Sequence, residues 1–400
     1  NKLDKILSQS KPITGYIGFD CTAKSLHVGS LIQIMLLRWF QKFGHRPIVL
    51  LGGGTSLVGD PSGKDESRKL INREIINENS KNLIKVFQKF INFDGISNNA
   101  LLLNNEDWLT KLSYIDFLRD YGKHFSVNRM LNFDSVKRRL DREHNLSFLE
   151  FNYMILQAFD FLELSRRYDC ILQMGGSDQW GNIVNGVELS RRVSATSGDN
   201  KELFGLTSPL ITTAGGNKMG KTEKGAVWLD SDFYSPWEYW QFWRNTSDQD
   251  VTRFLKLFTE IDITEIKKLE SLKGEELNEV KKILANSATT LLHGKENATE
   301  SENTAKNIFE DKNVQDYLPT IYIDLKEIDK KISILDLFVI NNSLLSSKNE
   351  ARRLIRGGGA KINNQTIKDE NLVIDKSFFS SNFIVLSAGK KRHIKISLKK

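Results

Sequence analysis

Along the first 230 residues, short β-branched runs alternate with longer stretches of helical periodicity. Residues 15–19 read GYIGF, 26–43 read LHVGSLIQIMLLRWFQKF and 46–54 read RPIVLLGGG; later, CILQM at 170–174 precedes WGNIVNGVELSRRV at 180–193. Continuous apolar strands separated by helix-length segments predict a parallel α/β sheet. Ligands of such sheets bind beyond the carboxyl ends of the strands, where glycine loops and helix N-termini meet. From Ser235 and Pro236 the texture changes. Leu277, Val280, Ile283, Leu284, Ala288 and Leu291 recur at spacings of three and four, predicting an amphipathic helical region. The Lys/Asn/Glu-rich stretch 294–313, with Pro319 close behind, is expected to end it. A last unit starts near Ile334 and reads helix, helix, Gly-rich turn, then short strands around AKINNQTI and NFIVLSAGKKRHIKISL.

Composition adds bounds. Over 400 residues, 40% apolar and 27% charged positions read as a soluble globular chain with more than one domain. The longest apolar stretches, such as 31–37 with Gln33 inside it, fall short of a bilayer span, so no transmembrane helix is expected. No apolar targeting stretch opens the sequence, and no signal peptide is expected. Only Cys21 and Cys170 are present, which excludes a disulfide framework or a Cys-rich zinc site and makes a reducing compartment, the cytoplasm, the expectation.

The net charge of +7 is unevenly placed. Residues 334–400 hold 13 Lys and Arg against 5 Asp and Glu, so the remainder is close to neutral. A basic tail on a neutral body suits a polyanion, nucleic acid rather than lipid; the alternative is a basic surface that only aids solubility. In SSKNEARRLIRGG, Lys348, Arg352, Arg353 and Arg356 fall within about two and a half turns, three on one face, as following a phosphate backbone would require.

Three strings carry chemistry: GFDCTAKSLHVGS at 18–30, LQMGGSDQWGN at 172–182 and NKMGKT at 217–222. HVGS puts His27 beside a helix start, GGSDQWG puts glycines and Asp178 at a strand end, and KMGKT puts Lys218 and Lys221 on a glycine-containing loop. Singly, His27 and Ser30 read as helix-start residues, GGSD as an ordinary βα turn and KMGKT as a solvated loop. Jointly, in this order on an α/β framework, they read as parts of one nucleotide-handling site.

With GDPSGK at 59–64 and FLEFNYMILQAFDF at 148–161, the chain resembles, essentially end to end, the bacterial-type tyrosyl-tRNA synthetases, which are class I aminoacyl-tRNA synthetases. HVGS resembles the class signature HIGH and KMGKT resembles KMSKS, while SSKNEARRLIRGGGAKIN resembles an S4-like RNA-binding domain. The resemblance implies an α/β chain: a Rossmann-like parallel-sheet catalytic domain over 1–230, an α-helical anticodon-arm-binding domain over 231–325 and a small α+β S4-like domain over 333–400. It also implies activation of L-tyrosine with ATP and transfer of the tyrosyl group to tRNA(Tyr).

By the same resemblance, Tyr16 and Asp160 face the phenol hydroxyl, Asp60, Tyr153 and Gln157 hold the α-amino group, and Gln173 supports the site. ATP falls to Asp20, Gly29, Ser30, Gly176, Asp178, Gln179, Lys221 and Thr222. Thr22, His27, Lys64, Arg68, Lys218 and Lys221 serve the transferring phosphates. Lys348, Arg352, Arg353, Arg356, Lys390, Lys391 and Arg392 meet tRNA. ATP enters as a substrate with Mg2+ on its phosphates, without a prosthetic group or a protein-held metal. A homodimer is implied, with its interface near residues 128–140, and no membrane.

Three positions depart from the family pattern. Ser30 replaces the second signature histidine, Cys21 replaces a common proline and reads as a packed small residue, and Gly220 and Thr222 replace both serines of KMSKS. Two other readings compete: a synthetase for tryptophan, disfavoured by Tyr16 and Asp160, and an RNA-binding protein that kept the scaffold without the activity, disfavoured by intact His27, Lys218, Lys221 and Asp160.

Overall fold

The computed structural model describes the chain apart from residues 1, 10, 63–70, 96–97, 198–200, 217, 223–224, 275, 311–317, 325–327, 329–330, 341–343, 364, 380–382, 390–391 and 399–400, and apart from the side chains at 134–135, 196–197, 221–222 and 307–310. It divides into two compact units, Asn1–Ala298 and Thr299–Lys400.

The first unit is built on the parallel sheet that the apolar runs predict. Strands β1 (Thr14–Asp20), β2 (Arg46–Gly52), β3 (Leu101–Asn104), β4 (Cys170–Gly176) and β5 (Phe204–Ser208) lie in the order β3-β2-β1-β4-β5, every neighbouring pair parallel. The chain builds outward from β1 through β2 to β3, then returns to the other side of β1 for β4 and β5. This reversal opens a cleft beyond the carboxyl ends of β1 and β4, the place where doubly wound sheets bind ligands.

The helices beside the sheet start where their sequences dictate. In α1 (Val28–Lys42), Leu31, Ile34, Met35 and Leu37 are buried at helical spacing. Asn72 caps α2 (Arg73–Phe90) by accepting from the Ile75 N–H. A capping box of Ser147 and Glu150 opens α3 (Phe148–Tyr168), which ends at Asp169 in the left-handed region (φ 52°). The middle of α3 is buried from Ala158 to Ser165. Such a helix is apolar nearly all round, so Asp160 and Glu163 within it stand out chemically. Helix α4 (Trp180–Ser197) packs against α3.

A second capping box, Ser235 with Glu238, and Pro236 in the first turn open α5 (Pro236–Arg244), whose Tyr239, Trp240 and Trp243 are fully buried. In the helix Glu276–Glu310, Val280, Leu284 and Ala288 are buried, as the periodicity predicts. The stretch 294–313, expected to end the helical region, opens on a break. Gly294 sits at φ 87°, ψ 162°, which glycine tolerates without steric cost, and helical turns resume as far as Glu310. The division between the two compact units falls inside this stretch.

In the second unit, strands Ala360–Ile362, Phe383–Ala388 and Arg392–Leu398 pair antiparallel, and Thr320–Ile323 adds to the edge parallel to Arg392–Leu398. Helices Ile334–Val339 and Lys348–Arg356 cover a core that includes Leu337, Phe338, Ala351, Ile355, Ile384 and Ile396. Among the described residues no helix is long and apolar enough to cross a membrane.

Candidate active site

The cleft at the carboxyl ends of β1 and β4 holds a cavity of about 310 Å³. Tyr16, Asp20, Thr22, Gly29, Ser30, Asp60, Tyr153, Gln157, Asp160, Gln173, Gly176, Asp178 and Gln179 all line it. Residues scattered over 160 positions thus converge because three strand ends, the start of α1 and one face of α3 meet there. Lys64 and Arg68 lie outside the described residues, as do the side chains of Lys221 and Thr222.

At the deep end sits Asp160, 2% exposed. Its Oδ1 accepts from Trp108 Nε1 at 2.7 Å and its Oδ2 accepts from Asn105 Nδ2 at 2.9 Å. Each carboxylate oxygen has a second lone pair, so both retain capacity to accept. Burial pushes the carboxyl up to about 7 against the lowering effect of these two donors, with Asp20 and Glu163 adding to the rise. Across from it, Tyr16 pairs in register with Gln173 on β4. The Tyr16 hydroxyl and Gln173 Oε1 are both buried without a hydrogen-bond partner among the described residues. Burial, then the neighbouring Asp160, hold the Tyr16 hydroxyl well above the usual phenol range.

A continuous polar chain leads outward from Asp160. Asn105 Nδ2 also donates to Thr55 Oγ1 at 3.0 Å, Thr55 Oγ1 donates to Asp20 Oδ1 at 2.8 Å, and the Tyr153 hydroxyl donates to Asp20 Oδ2 at 3.0 Å. Asn105 cannot turn over within this chain, because its Oδ1 accepts from the Gly54 N–H at 2.8 Å. Along the opposite wall, Gln179 Nε2 donates to Asp60 Oδ2 at 2.9 Å, while Asn182 Nδ2 donates to Gln157 Oε1 at 2.9 Å. Burial, then Asp60, pushes the Asp178 carboxyl up, with Lys218 acting in the opposite sense.

The third part of the site is the junction of HVGS with the 218–222 loop. His27 is the N-cap of α1, its Nδ1 accepting from the Gly29 N–H at 3.0 Å. The loop docks on this turn: the Val28 N–H donates to Val227 O at 2.9 Å and the Val227 N–H to Gly220 O at 3.1 Å, while Lys221–Thr222 pairs antiparallel with Gly225–Ala226. Gly220 has φ 107°, and a Cβ there would lie 2.7 Å from His27 Nδ1 and 2.9 Å from the Gly29 nitrogen. The departure from KMSKS at this position therefore has a steric cause. Gly220→Ala is expected to lower the rate of the reaction at this site about tenfold, because the strained backbone and the displaced loop both act on the same turn. Single-turnover rates of the two proteins check this.

Thr55, Asn105, Trp108 and Gln33 were not anticipated. Asn105 and Trp108 follow β3 in LLLNNEDWL, and polar residues just past an apolar strand were the available signal. Cys21 is fully buried, its Sγ accepting from Ser80 Oγ at 3.1 Å, and burial pushes its thiol up to about 11, as fits a packing residue.

In the second unit, Lys348, Arg352, Arg353 and Arg356 stand on one helix as expected. Lys348 pairs with Asp336 at 2.5 Å, Arg356 with Glu370 at 3.0 Å and Arg392 with Glu350 at 3.2 Å. Arg352 donates to Asn349 Oδ1 at 3.1 Å, and Arg353 is exposed. Lys390 and Lys391 lie outside the described residues.

The family described as tRNA synthetases class I (W and Y) matches residues 8–310, and the Tyrosine--tRNA ligase SYY-like C-terminal domain matches residues 310–396. The chain is 55% identical over 396 residues to the tyrosine–tRNA ligase of Pelagibacter ubique, covering 99% of this chain and 94% of that protein. To the tyrosine–tRNA ligase of Zymomonas mobilis it is 58% identical over 391 residues, 98% and 92% of the two chains. The crystal structure of a C-terminally truncated mitochondrial tyrosyl-tRNA synthetase of Aspergillus nidulans superposes with a TM-score of 0.68 at 31% identity, over 77% of this chain and 89% of that one. The chain belongs to the tyrosine–tRNA ligase family, an enzyme family of aminoacyl-tRNA synthetases.

Proposed function

We propose that the cavity joins L-tyrosine to ATP and that the enzyme then passes the tyrosyl group to the terminal adenosine of tRNA(Tyr). The observation that carries this reading is the buried end of the cavity, where Asp160 and the unpartnered Tyr16 hydroxyl await a group that can both donate and accept. A phenol hydroxyl does both. Phenylalanine would fill the same space, leaving the Tyr16 hydroxyl without a partner and the remaining lone pairs of Asp160 unused. Asp60, Tyr153 and Gln157 take the α-amino group, with Gln173 behind them.

In the first step a tyrosine carboxylate oxygen bonds to the α-phosphorus, the bond from that phosphorus to the bridging oxygen breaks, and pyrophosphate leaves. In the second, a ribose hydroxyl of tRNA attacks the acyl carbon and AMP leaves. No covalent enzyme intermediate is needed; the protein positions groups and stabilises charge. His27, Thr22, Lys64, Arg68, Lys218 and Lys221 serve the phosphates, and Asp20, Gly29, Ser30, Gly176, Asp178, Gln179 and Thr222 hold the nucleotide. Mg2+ is assigned to the phosphates of ATP and arrives with the substrate.

The parallel-sheet region acts as the catalytic domain, the helical region after residue 231 faces the anticodon arm, and the C-terminal unit binds RNA through Lys348, Arg352, Arg353, Arg356, Lys390, Lys391 and Arg392. Val127, Leu131 and Leu140, exposed large apolar side chains in and beside the 128–140 segment, support a homodimer with its interface there. A cytoplasmic setting completes the reading.

The test is tyrosine-dependent ATP–pyrophosphate exchange with phenylalanine and tryptophan as controls; absence of a tyrosine preference overturns it. Removing the C-terminal unit is expected to spare exchange and to lower tRNA charging at least about tenfold through lost phosphate contacts. Because Thr320–Ile323 pairs with Arg392–Leu398, the cut must precede residue 320, and deletion of 311–400 is the variant to measure. Equal loss of both activities would make the tail structural.

A further inference from the structure

We propose that Asp250 and Arg253 are positioning residues for the reaction: together they fix the stem of the lysine loop, and through it the approach of Lys218 and Lys221 to the phosphates. The inference rests on the functional reading above, which gives those lysines their task, and extends it to two side chains outside every motif.

The loop has a built stem. The Met219 N–H donates to Ile211 O at 3.0 Å, Thr212 and Lys218 face each other as an antiparallel bridge, and the Gly216 N–H donates to Thr213 O at 2.8 Å. Two side chains from a later element hold this stem by its first strand. Asp250 Oδ2 accepts from the Ala214 N–H at 2.7 Å and its Oδ1 accepts from Arg253 Nη2 at 2.6 Å, while Arg253 Nη2 also donates to Thr212 O. The carbonyl that Arg253 holds therefore belongs to the residue directly opposite Lys218.

The placement of Asp250 shows that this clamp is no by-product of helix capping. Asp250 stands at the N-cap position of the helix Val251–Phe258, where an aspartate ordinarily accepts from an N–H of the first turn, yet its side chain makes no capping bond. It is turned to the loop instead. It is 3% exposed, and a buried carboxylate is costly unless it is paired, so Ala214 and Arg253 are partners that the fold has to supply. A role confined to starting the helix would use the capping bond and leave the Ala214 N–H to water.

The same helix is fixed to the other half of the phosphate site. It packs against α1, and just beyond its end Glu260 pairs with Arg38 Nε at 2.6 Å and Lys42 Nζ at 2.7 Å, both on α1. Phe254 and Phe258 pack on Trp243 of α5, with ring centroids 6.0 and 5.0 Å apart. Since His27 caps the start of α1, one helix sets both the stem of the lysine loop and the histidine-capped turn. Releasing the clamp lets the lysines shift relative to that turn, and small misplacements of reacting groups are costly in rate.

The experiment measures single-turnover tyrosyl-adenylate formation and, separately, tyrosine affinity with the full chain. Asp250→Ala, Asp250→Asn and Arg253→Met are each made in the parent and in a Lys218→Ala, Lys221→Ala background. In the parent, Asp250→Ala is expected to slow adenylate formation about tenfold with tyrosine affinity unchanged, and Asp250→Asn, which keeps an acceptor for Ala214, about threefold. Without the two lysines the same substitutions should cost less than about twofold, because the clamp then has nothing left to place. A merely structural role would slow both backgrounds alike. Equal slowing in the two backgrounds, an unchanged rate in the parent, or a parallel loss of tyrosine affinity would each overturn the proposal. Should Asp250→Ala fail to fold, Asp250→Asn and Arg253→Met, the latter at an exposed side chain, carry the same comparison. A parent that forms no tyrosyl-adenylate, or a double lysine variant as fast as the parent, would instead refute the functional reading itself.

Discussion

Lys221→Ala is expected to slow tyrosyl-adenylate formation about a hundredfold while leaving tyrosine affinity nearly unchanged. As the tyrosine carboxylate approaches the α-phosphorus, negative charge crowds onto the leaving pyrophosphate. A cation brought close at that moment stabilises the transition state more than the ground state, and its removal appears in the rate rather than in binding. The backbone brings Lys221 close to the start of α1. Its strand pairs with Gly225–Ala226, and the preceding Gly220 abuts His27 and the Gly29 nitrogen at the start of α1. The helix N-terminus adds partial positive charge at the same point. Single-turnover adenylate formation at saturating tyrosine and ATP, with tyrosine affinity measured separately, checks the split. An unchanged rate would remove Lys221 from the reaction.

The sheet was legible in its three central strands, β1, β2 and β4, which are largely buried and read as apolar runs, and the glycine loops at strand ends marked the binding edge; the edge strands β3 and β5 are only half buried and gave no run of that length. The site was legible only through its motifs. Periodicity cannot say that Asp160, one acid in a helix buried nearly all round, faces a cavity rather than a structural arginine. The buried pair of Arg139 with Glu150 at 3.1 Å, in the first turn of the same helix, shows how another buried acid does structural work. The links among Asp160, Asn105, Thr55 and Asp20 span 35 to 55 positions, and no local pattern encodes them. Charge counting likewise placed cations on the helix Lys348–Arg356 but could not show that Asp336 and Glu370 bridge two of them.

These links also change what the motif residues mean. Asp20, assigned to ATP, and Tyr153, assigned to the tyrosine amino group, are directly hydrogen bonded. Thr55 and Asn105 then connect that pair to the phenol end. On the proposed assignments both substrates bear on one connected set of polar groups, in which a change at either end alters the partners of the other.

Asp160→Asn is expected to lower kcat/KM for tyrosine about a hundredfold while leaving the residual activity with phenylalanine nearly unchanged, so that discrimination collapses. An amide offers one acceptor where the carboxylate offers two, and Trp108 Nε1 and Asn105 Nδ2 both donate to this side chain. Asn105 is held by the Gly54 N–H, so the new amide must set an N–H against one of these donors and loses the charge-assisted contact to the substrate hydroxyl. The pH dependence gives an independent readout. Burial raises the Asp160 carboxyl from an ordinary value near 3.8 to about 7, so the stability it contributes is complete below the unfolded value and disappears as pH rises through about 7. Asparagine does not titrate. The melting temperature of the parent relative to Asp160→Asn should therefore rise as pH falls from 8 toward 4, measured in parallel without ligand so that shared acid effects cancel. A difference independent of pH would mean that the carboxyl is already ionised at ordinary strength. In that case the carboxylate is charged throughout the working range, and its contact to the substrate hydroxyl is charge-assisted at every pH tested.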